Sequence, residues 1–188
     1  MYEHISQYYN LLFPEHPKMR SFLNTYAKAG KKAIDLGCGT GRLTNLLFDL
    51  KMDVAGIDLD SNMIAVARLS FPLITFVVGD MIKALNRDVH YHLMTCFGNT
   101  LPHLNRQQLK VFFESAKSHL DHDGHLVVQL LNYQKIMKEK PKHLTHIAVD
   151  GVSFERTYHY QNQHIQFHTK LTVNHQSFES STRLYPYT

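Results

Sequence analysis

The chain has 188 residues, enough for one domain with a real core and a small excursion. Hydrophobic residues make up 44% and charged residues 19%, an ordinary globular balance, and no apolar run approaches the roughly 20 residues of a membrane helix. The net charge of +4 comes from scattered lysines and arginines; the one basic block, Lys138–Lys142, reads as a solvated face, so a nucleic-acid partner gains little support.

The N-terminus, MYEHISQYYN, has no basic start and no apolar h-region, so no signal peptide is expected. Residues 2–30 read as helical, with Ile5, Tyr8, Tyr9 and Leu12, then Phe22, Leu23 and Tyr26, on apolar faces. FPEHP at 13–17 breaks them into two pieces, and Gly30 is placed to close the second. Lys32–Leu36 is a short apolar strand. It runs into Gly37, Gly39 and Gly41, and then into a helix with Leu43, Leu46, Leu47 and Leu50 on one side.

The alternation continues with a strand at 53–59, a helix at 61–69 capped by Asp60 or Ser61, and strands at 75–78 and 92–97. A helix follows at 105–120 with Asn105 as its cap. HDG at 122–124 is expected to turn the chain into a fifth strand at 125–131. Strands alternating with helices imply a doubly wound, mostly parallel α/β sheet with helices on both faces. Beyond Asn132 the pattern changes. Ile147–Val149 and Val152–Phe154 flank an Asp-Gly turn, and Ile165, Phe167, Leu171 and Val173 alternate with polar residues. Residues 145–185 therefore read as an antiparallel flap. The expected layout is one domain in three parts: an N-terminal helical lid (1–30), the α/β core (31–135) and the segment carrying the flap (136–188).

In a doubly wound sheet, ligands bind at the C-terminal ends of the strands. The first turn is Gly-x-Gly-x-Gly, not the Gly-x-Gly-x-x-Gly of dinucleotide binders, and it leaves backbone open to a ligand. The second strand ends at Asp58, where a carboxylate can accept from the vicinal hydroxyls of a ribose. The third ends at Gly79-Asp80, where a carboxylate can accept from an exocyclic amine. Each acid alone reads equally well as a helix cap. Together the three tips describe a nucleoside pocket without a phosphate grip.

AIDLGCGTGRL, AGIDLDSNMIAVA, FVVGDM and CFGNTLPHL resemble the successive motifs of class I S-adenosylmethionine-dependent methyltransferases, over roughly residues 1–135. GNTLPHL followed by VVQLLNY resembles the branch containing glycine and sarcosine N-methyltransferases. The resemblance implies that Asp35 and the turn Gly37-Cys38-Gly39-Thr40-Gly41 lie under the methionine part of the cofactor. It implies that Asp58 holds the ribose, with Leu59 and Met63 at the adenine side. Gly79 and Asp80 would meet the adenine amine, and the Met81 N–H a ring nitrogen. Cys96 and Phe97 would offer backbone carbonyl to the cofactor's amino group, and Tyr8 or Tyr9 would close the lid.

Methyl transfer from a sulfonium needs alignment and exclusion of water more than a dedicated base, so a thin catalytic signature is expected. Asn99 and His103 are the candidates for orienting the acceptor, with His103 also a candidate base; packing and turn-capping roles are equally compatible with both. The chain lacks the Asn/Asp-Pro-Pro-Tyr/Phe signature of enzymes that methylate amino groups of bases, and it has no Pro-Cys pair for attack on cytosine. A small-molecule acceptor is the expectation. A cofactor-binding protein without turnover and an RNA or protein methyltransferase are the alternatives.

Cys38 and Cys96 form no metal-ligand spacing, and a reduced, cytoplasmic protein is expected. Six of the 14 histidines fall between His143 and His175, without an i,i+4 pair on a helix or cysteine partners, and His164 and His168 lie on the polar side of an expected strand, so no metal is expected there. The resemblance also implies a further helix and a closing strand pair after LYPYT (184–188). An uncovered sheet edge predicts a homodimer or a domain swap.

Overall fold

The computed structural model describes residues 4–83, 85 and 88–187; residues 1–3 of the expected lid and Thr188 lie outside them. In chain order the elements are α1 (Tyr9–Leu12), α2 (Met19–Asn24), β1 (Lys32–Leu36), α3 (Arg42–Asp49), β2 (Asp53–Asp58), α4 (Ser61–Ser70), β3 (Thr75–Val78), β4 (Tyr91–Cys96), a 3-10 turn (Leu101–His103), α5 (Arg106–His119), β5 (Leu120–Val128), α6 (Tyr133–Glu139), β6 (Ile147–Val149), β7 (Val152–Tyr160), β8 (Ile165–Val173) and β9 (Gln176–Leu184).

Five strands form a parallel sheet in the order β3-β2-β1-β4-β5. The order reverses between β1 and β4, which opens a crevice at their C-terminal ends. Alternate residues feed two cores. Ala33 and Leu93 pack with Leu46, Leu47, Ile64 and Phe76 on one face, while Ile34, Leu36, Met94 and Cys96 pack with Phe112 and Ala116 on the other. The doubly wound fold and the added antiparallel sheet read from the sequence are both present. No helix among the described residues is long and apolar enough to cross a membrane.

Local chemistry sets most element ends. The Asp60 carboxylate accepts from the N–H groups of Asn62 and Met63 and starts α4. Asn105 and Gln108 form a reciprocal capping box that starts α5. The Asp150-Gly151 turn has φ of +47° and +76°, the pair of left-handed residues that a two-residue hairpin needs.

Three expectations are corrected. The lid holds two short helices rather than long ones, and α2 stops at Asn24. Gly30 does not close α2; it turns the chain into β1 with φ +75°, its N–H donating to the Lys51 carbonyl at 2.8 Å. HDG at 122–124 does not turn the chain between a helix and a strand. β5 already begins at Leu120, opposite Tyr91, and the next register pair is Leu93 with His125. Residues 121–124 are therefore an excursion within the strand, and β4 holds them because both flanks are paired to it. Finally, α6 was not expected; Asn132 caps it by accepting from the Lys135 N–H at 2.9 Å.

The lid and the second sheet share a core of their own. Ile5, Leu12, Met63, Val152, Phe154 and Leu171 bury one another, with Tyr9 and Phe13 packed against them. On the other side of that sheet's length, Tyr133 of α6 packs with Tyr158, Ile165 and Leu184. After β9 the chain returns to the parallel core, where the Tyr185 N–H donates to the Pro102 carbonyl at 2.7 Å. The flap is thus fastened both to the lid and to the loop after β4. Among the described residues β5 is paired on one side only.

Candidate functional site

The glycines after β1 are not equivalent. All three have left-handed backbone, with φ of +76°, +56° and +80° at Gly37, Gly39 and Gly41. A Cβ on Gly37 would stand 2.5 Å from the Thr100 Cγ2, and one on Gly41 would stand 2.6 Å from Phe76 Cζ. A Cβ on Gly39 would meet nothing within 4 Å. Packing inside the protein therefore demands Gly37 and Gly41, whereas Gly39 faces open space at the strand tips.

Asp58, at the end of β2, stands directly beside that space. Its Oδ2 accepts from the Gly39 N–H at 2.8 Å and its Oδ1 from the Asp60 N–H at 2.9 Å. Each oxygen keeps a second lone pair, so the carboxylate both shapes the turn and can still receive hydroxyls. Burial raises its pKa, against the opposing pull of those two N–H groups. Leu59 follows with 76% of its surface exposed, an apolar side chain left at a polar rim. At the β3 tip, Asp80 Oδ1 accepts from the Ile82 N–H at 2.9 Å. Met81 packs against the second core. Met63 is 2% exposed and lies in the core shared by lid and flap.

Asp35 lies beneath the turn rather than at its surface. It is 1% exposed and accepts from the Thr44 hydroxyl at 2.7 Å and the Thr95 hydroxyl at 2.8 Å. Burial raises its carboxyl to about 6, and the two hydroxyls limit the rise. The turn itself hangs on β2: the N–H groups of Gly37 and Cys38 both donate to the Ile57 carbonyl, at 2.8 and 2.9 Å. Cys38 and Cys96 are free and buried, and burial pushes both thiols far up.

The lid closes one side of the crevice. The Thr40 hydroxyl donates to Asn10 at 2.6 Å, and the Arg42 guanidinium donates to the Phe13 carbonyl. The Tyr9 hydroxyl sits 3.8 Å from where a Gly98 Cβ would be, so Tyr9 reaches the β4 tip. Burial raises the pKa of its phenol; the Arg42 charge lowers it and the Asp58 charge raises it further. Tyr8 packs with the lid and flap core.

At the β4 tip the Cys96 carbonyl accepts from the Gln129 N–H at 3.0 Å and the Phe97 carbonyl from the Thr100 hydroxyl at 2.6 Å. Asn99 has φ +61°, and both ends of its side chain are engaged. Its Nδ2 donates to the Tyr133 hydroxyl at 2.8 Å, and its Oδ1 accepts from the Leu131 N–H at 3.2 Å. In this geometry it ties the loop to the start of α6. Tyr133→Phe is expected to lower stability by about 1 kcal/mol, one buried hydrogen bond, in a urea melt. His103 lies in the 3-10 turn, half-buried, and burial lowers its pKa, which keeps the ring neutral near pH 7.

Sequence reasoning missed Asn10, Arg42 and Tyr133, and the bond that ties Thr40 to the lid. Their partners lie at least 29 residues away, and nothing in the local pattern marks them.

Residues 33–124 match a family model described as a methyltransferase domain. The chain is 40% identical over 81 residues to a protein of Invertebrate iridescent virus 6 named as methyltransferase 235L, covering 42% of this chain and 30% of that one. It is 27% identical over 116 residues to the dTDP-3-amino-3,6-dideoxy-alpha-D-glucopyranose N,N-dimethyltransferase of Streptomyces fradiae, covering 61% of this chain and 45% of that one. The matches thus span less than half the length of these two relatives. Among solved structures, an S-adenosylmethionine-dependent methyltransferase from Clostridium acetobutylicum superposes with a TM-score of 0.81 at 19% identity, over 98% of this chain and 80% of that one. The amino pentose methyltransferase CalS10 of Micromonospora echinaspora, solved with S-adenosylmethionine bound, superposes with a TM-score of 0.72 at 17% identity, over 100% of this chain and 84% of that one. The glycine turn and the acid-tipped strands lie within the residues that match the methyltransferase-domain model, and the chain has the fold of these S-adenosylmethionine-dependent methyltransferases.

Proposed function

We propose that the chain binds S-adenosylmethionine and transfers its methyl group to an amino group of a small molecule, with amino sugars as the acceptor class. The open space over Gly39, facing the Asp58 carboxylate at the reversal of strand order, carries this reading. These residues fit the cofactor: bare backbone for its tail, Asp58 for the ribose hydroxyls, exposed Leu59 for an aromatic face and Asp80 for an amine. The names of the Streptomyces and Micromonospora relatives supply the acceptor class.

When bound, the cofactor supplies a methyl group activated on a positively charged sulfur. This chain's part is to hold the acceptor nitrogen in line with that methyl and to keep water out. Tyr9 reaches the loop after β4 and Asn10 bonds the glycine turn, so the lid would shield the bound cofactor from water. An amine that accepted the methyl would have to release a proton to become neutral again. His103, whose pKa burial lowers, is the base proposed to accept it on a ring nitrogen.

Calorimetric titration with S-adenosylmethionine and S-adenosylhomocysteine tests the pocket. The wild type is expected to bind both, and Asp58→Ala to bind at least tenfold more weakly, about 1.4 kcal/mol or more. A melting curve run beside each titration checks that the variant remains folded, because Asp58 also holds two N–H groups of the loop. A folded wild type that binds neither compound would sink the reading. Binding without methyl transfer to any amino sugar or other small amine would retire the proposed turnover and leave a cofactor-binding protein.

A further inference from the structure

At the opposite end of β4 from the glycine turn, three potential ligands converge. His92, Asp121 and Asp123 each present one donor atom, and these atoms lie within 4.8 Å of one another. The excursion in β5 brings them together: between the register pairs Tyr91–Leu120 and Leu93–His125, His92 alone stands opposite residues 121–124. The tight fold at Gly124, whose Cβ would lie 2.8 Å from the Tyr91 carbonyl, holds that excursion against β4.

His92 supplies the decisive observation. It is 6% exposed, and its buried Nδ1 has no hydrogen-bond partner. The nearest carboxylate oxygen, on Asp123, is 3.9 Å away, beyond hydrogen-bonding reach. A buried ring nitrogen without a partner loses its solvation for nothing in return. It faces two carboxylates that β5 has left its regular register to deliver.

We propose that His92, Asp121 and Asp123 form a binding site for a divalent cation of the zinc type. One imidazole nitrogen and two carboxylate oxygens are a donor set suited to such an ion, with water in the remaining position. Tetrahedral ligands about 2.1 Å from zinc stand roughly 3.4 Å apart. The 3.9 Å gap closes to that by a small rotation of the Asp123 side chain, which is 65% exposed. The ion would bridge β4 to the β5 excursion. The site is distinct from the cofactor crevice, since His92 and Cys96 are separated by about 13 Å along β4.

The test uses the whole chain, stripped with EDTA and titrated with zinc chloride by calorimetry, with melting curves at each stoichiometry. Asp121→Asn/Asp123→Asn alters only partly and fully exposed side chains, so folding is retained. His159 and His168 on the flap have rings 4.7 Å apart and can take zinc independently, so His159→Ala/His168→Ala serves as the control. The expected result is one zinc equivalent that raises the melting temperature, is weakened more than about tenfold in the aspartate variant, and survives in the flap variant. Cobalt(II) in place of zinc should give a d–d absorption band that the aspartate variant lacks. Three results would each overturn the site: no zinc bound by the wild type, an unchanged equivalent in the aspartate variant, or loss only in the flap variant.

Discussion

Gly39→Ala is expected to leave a folded protein that no longer holds its cofactor, while Gly37→Ala is expected to damage the fold itself. Both positions have left-handed φ, +56° and +76°, so alanine at either costs about 1 kcal/mol in backbone strain. The difference lies in what the new methyl meets. At Gly39 it meets nothing within 4 Å, so the melting temperature should fall only slightly. The methyl then occupies the space in which the cofactor's tail would lie, and affinity for S-adenosylhomocysteine should drop at least tenfold. At Gly37 the methyl stands 2.5 Å from Thr100 Cγ2 and 2.9 Å from its hydroxyl. Overpacking of this kind adds about 1–3 kcal/mol to the strain, a large share of a domain's stability of about 5–15 kcal/mol. Adding Thr100→Ala to Gly37→Ala should recover most of the clash but not the backbone term. Urea melts and calorimetry on the three variants and the wild type measure both parts. Equal loss of stability at Gly37 and Gly39, or cofactor affinity retained in Gly39→Ala, would contradict this division of roles.

What the sequence made legible was what local pattern encodes. The apolar runs and their spacing placed β1 to β4 within a residue, and Asp60 and Asn105 announced α4 and α5 because capping acts over three residues. Asp150-Gly151 announced its hairpin for the same reason. The β5 excursion was illegible because HDG is a turn signal by composition, and only pairing with β4 on both flanks keeps it inside a strand. The site divides the same way. Asp58 and Gly39 are readable as candidates from their places at strand ends, where the structure puts them side by side. That Gly37 is demanded by Thr100, that Asn99 is tied to Tyr133, and that Met63 is buried between lid and flap depend on contacts made only once the chain is folded.

Asp35 should give the chain a stability that falls as pH rises through the weakly acidic range. Its folded carboxyl titrates near 6 against an ordinary value of 3.8, chiefly because burial disfavours the charged form. Below about pH 4 both folded and unfolded chains carry the proton, and the group contributes no penalty. Between about 4 and 6 the unfolded chain releases its proton while the folded chain retains it, so stability drops with pH. Above about 6 the penalty is complete, about 3 kcal/mol, and flat. The hydroxyls of Thr44 and Thr95 reduce that penalty without abolishing it. Asp35→Asn keeps the shape and removes the titration. Its carbonyl can accept from one threonine, and its amide can donate to the other, whose hydroxyl can turn to a helix carbonyl. The difference in unfolding free energy between Asp35→Asn and wild type is therefore expected to shift in the variant's favour by about 3 kcal/mol between pH 4 and pH 7. Asp35→Leu should show the same pH shift from a lower starting point, because it leaves two buried hydroxyls without their acceptor at about 1–3 kcal/mol each. Urea melts of the three proteins at half-unit pH steps measure this. A difference that does not change with pH would mean that Asp35 titrates in its ordinary range, and that Thr44 and Thr95 fully offset its burial.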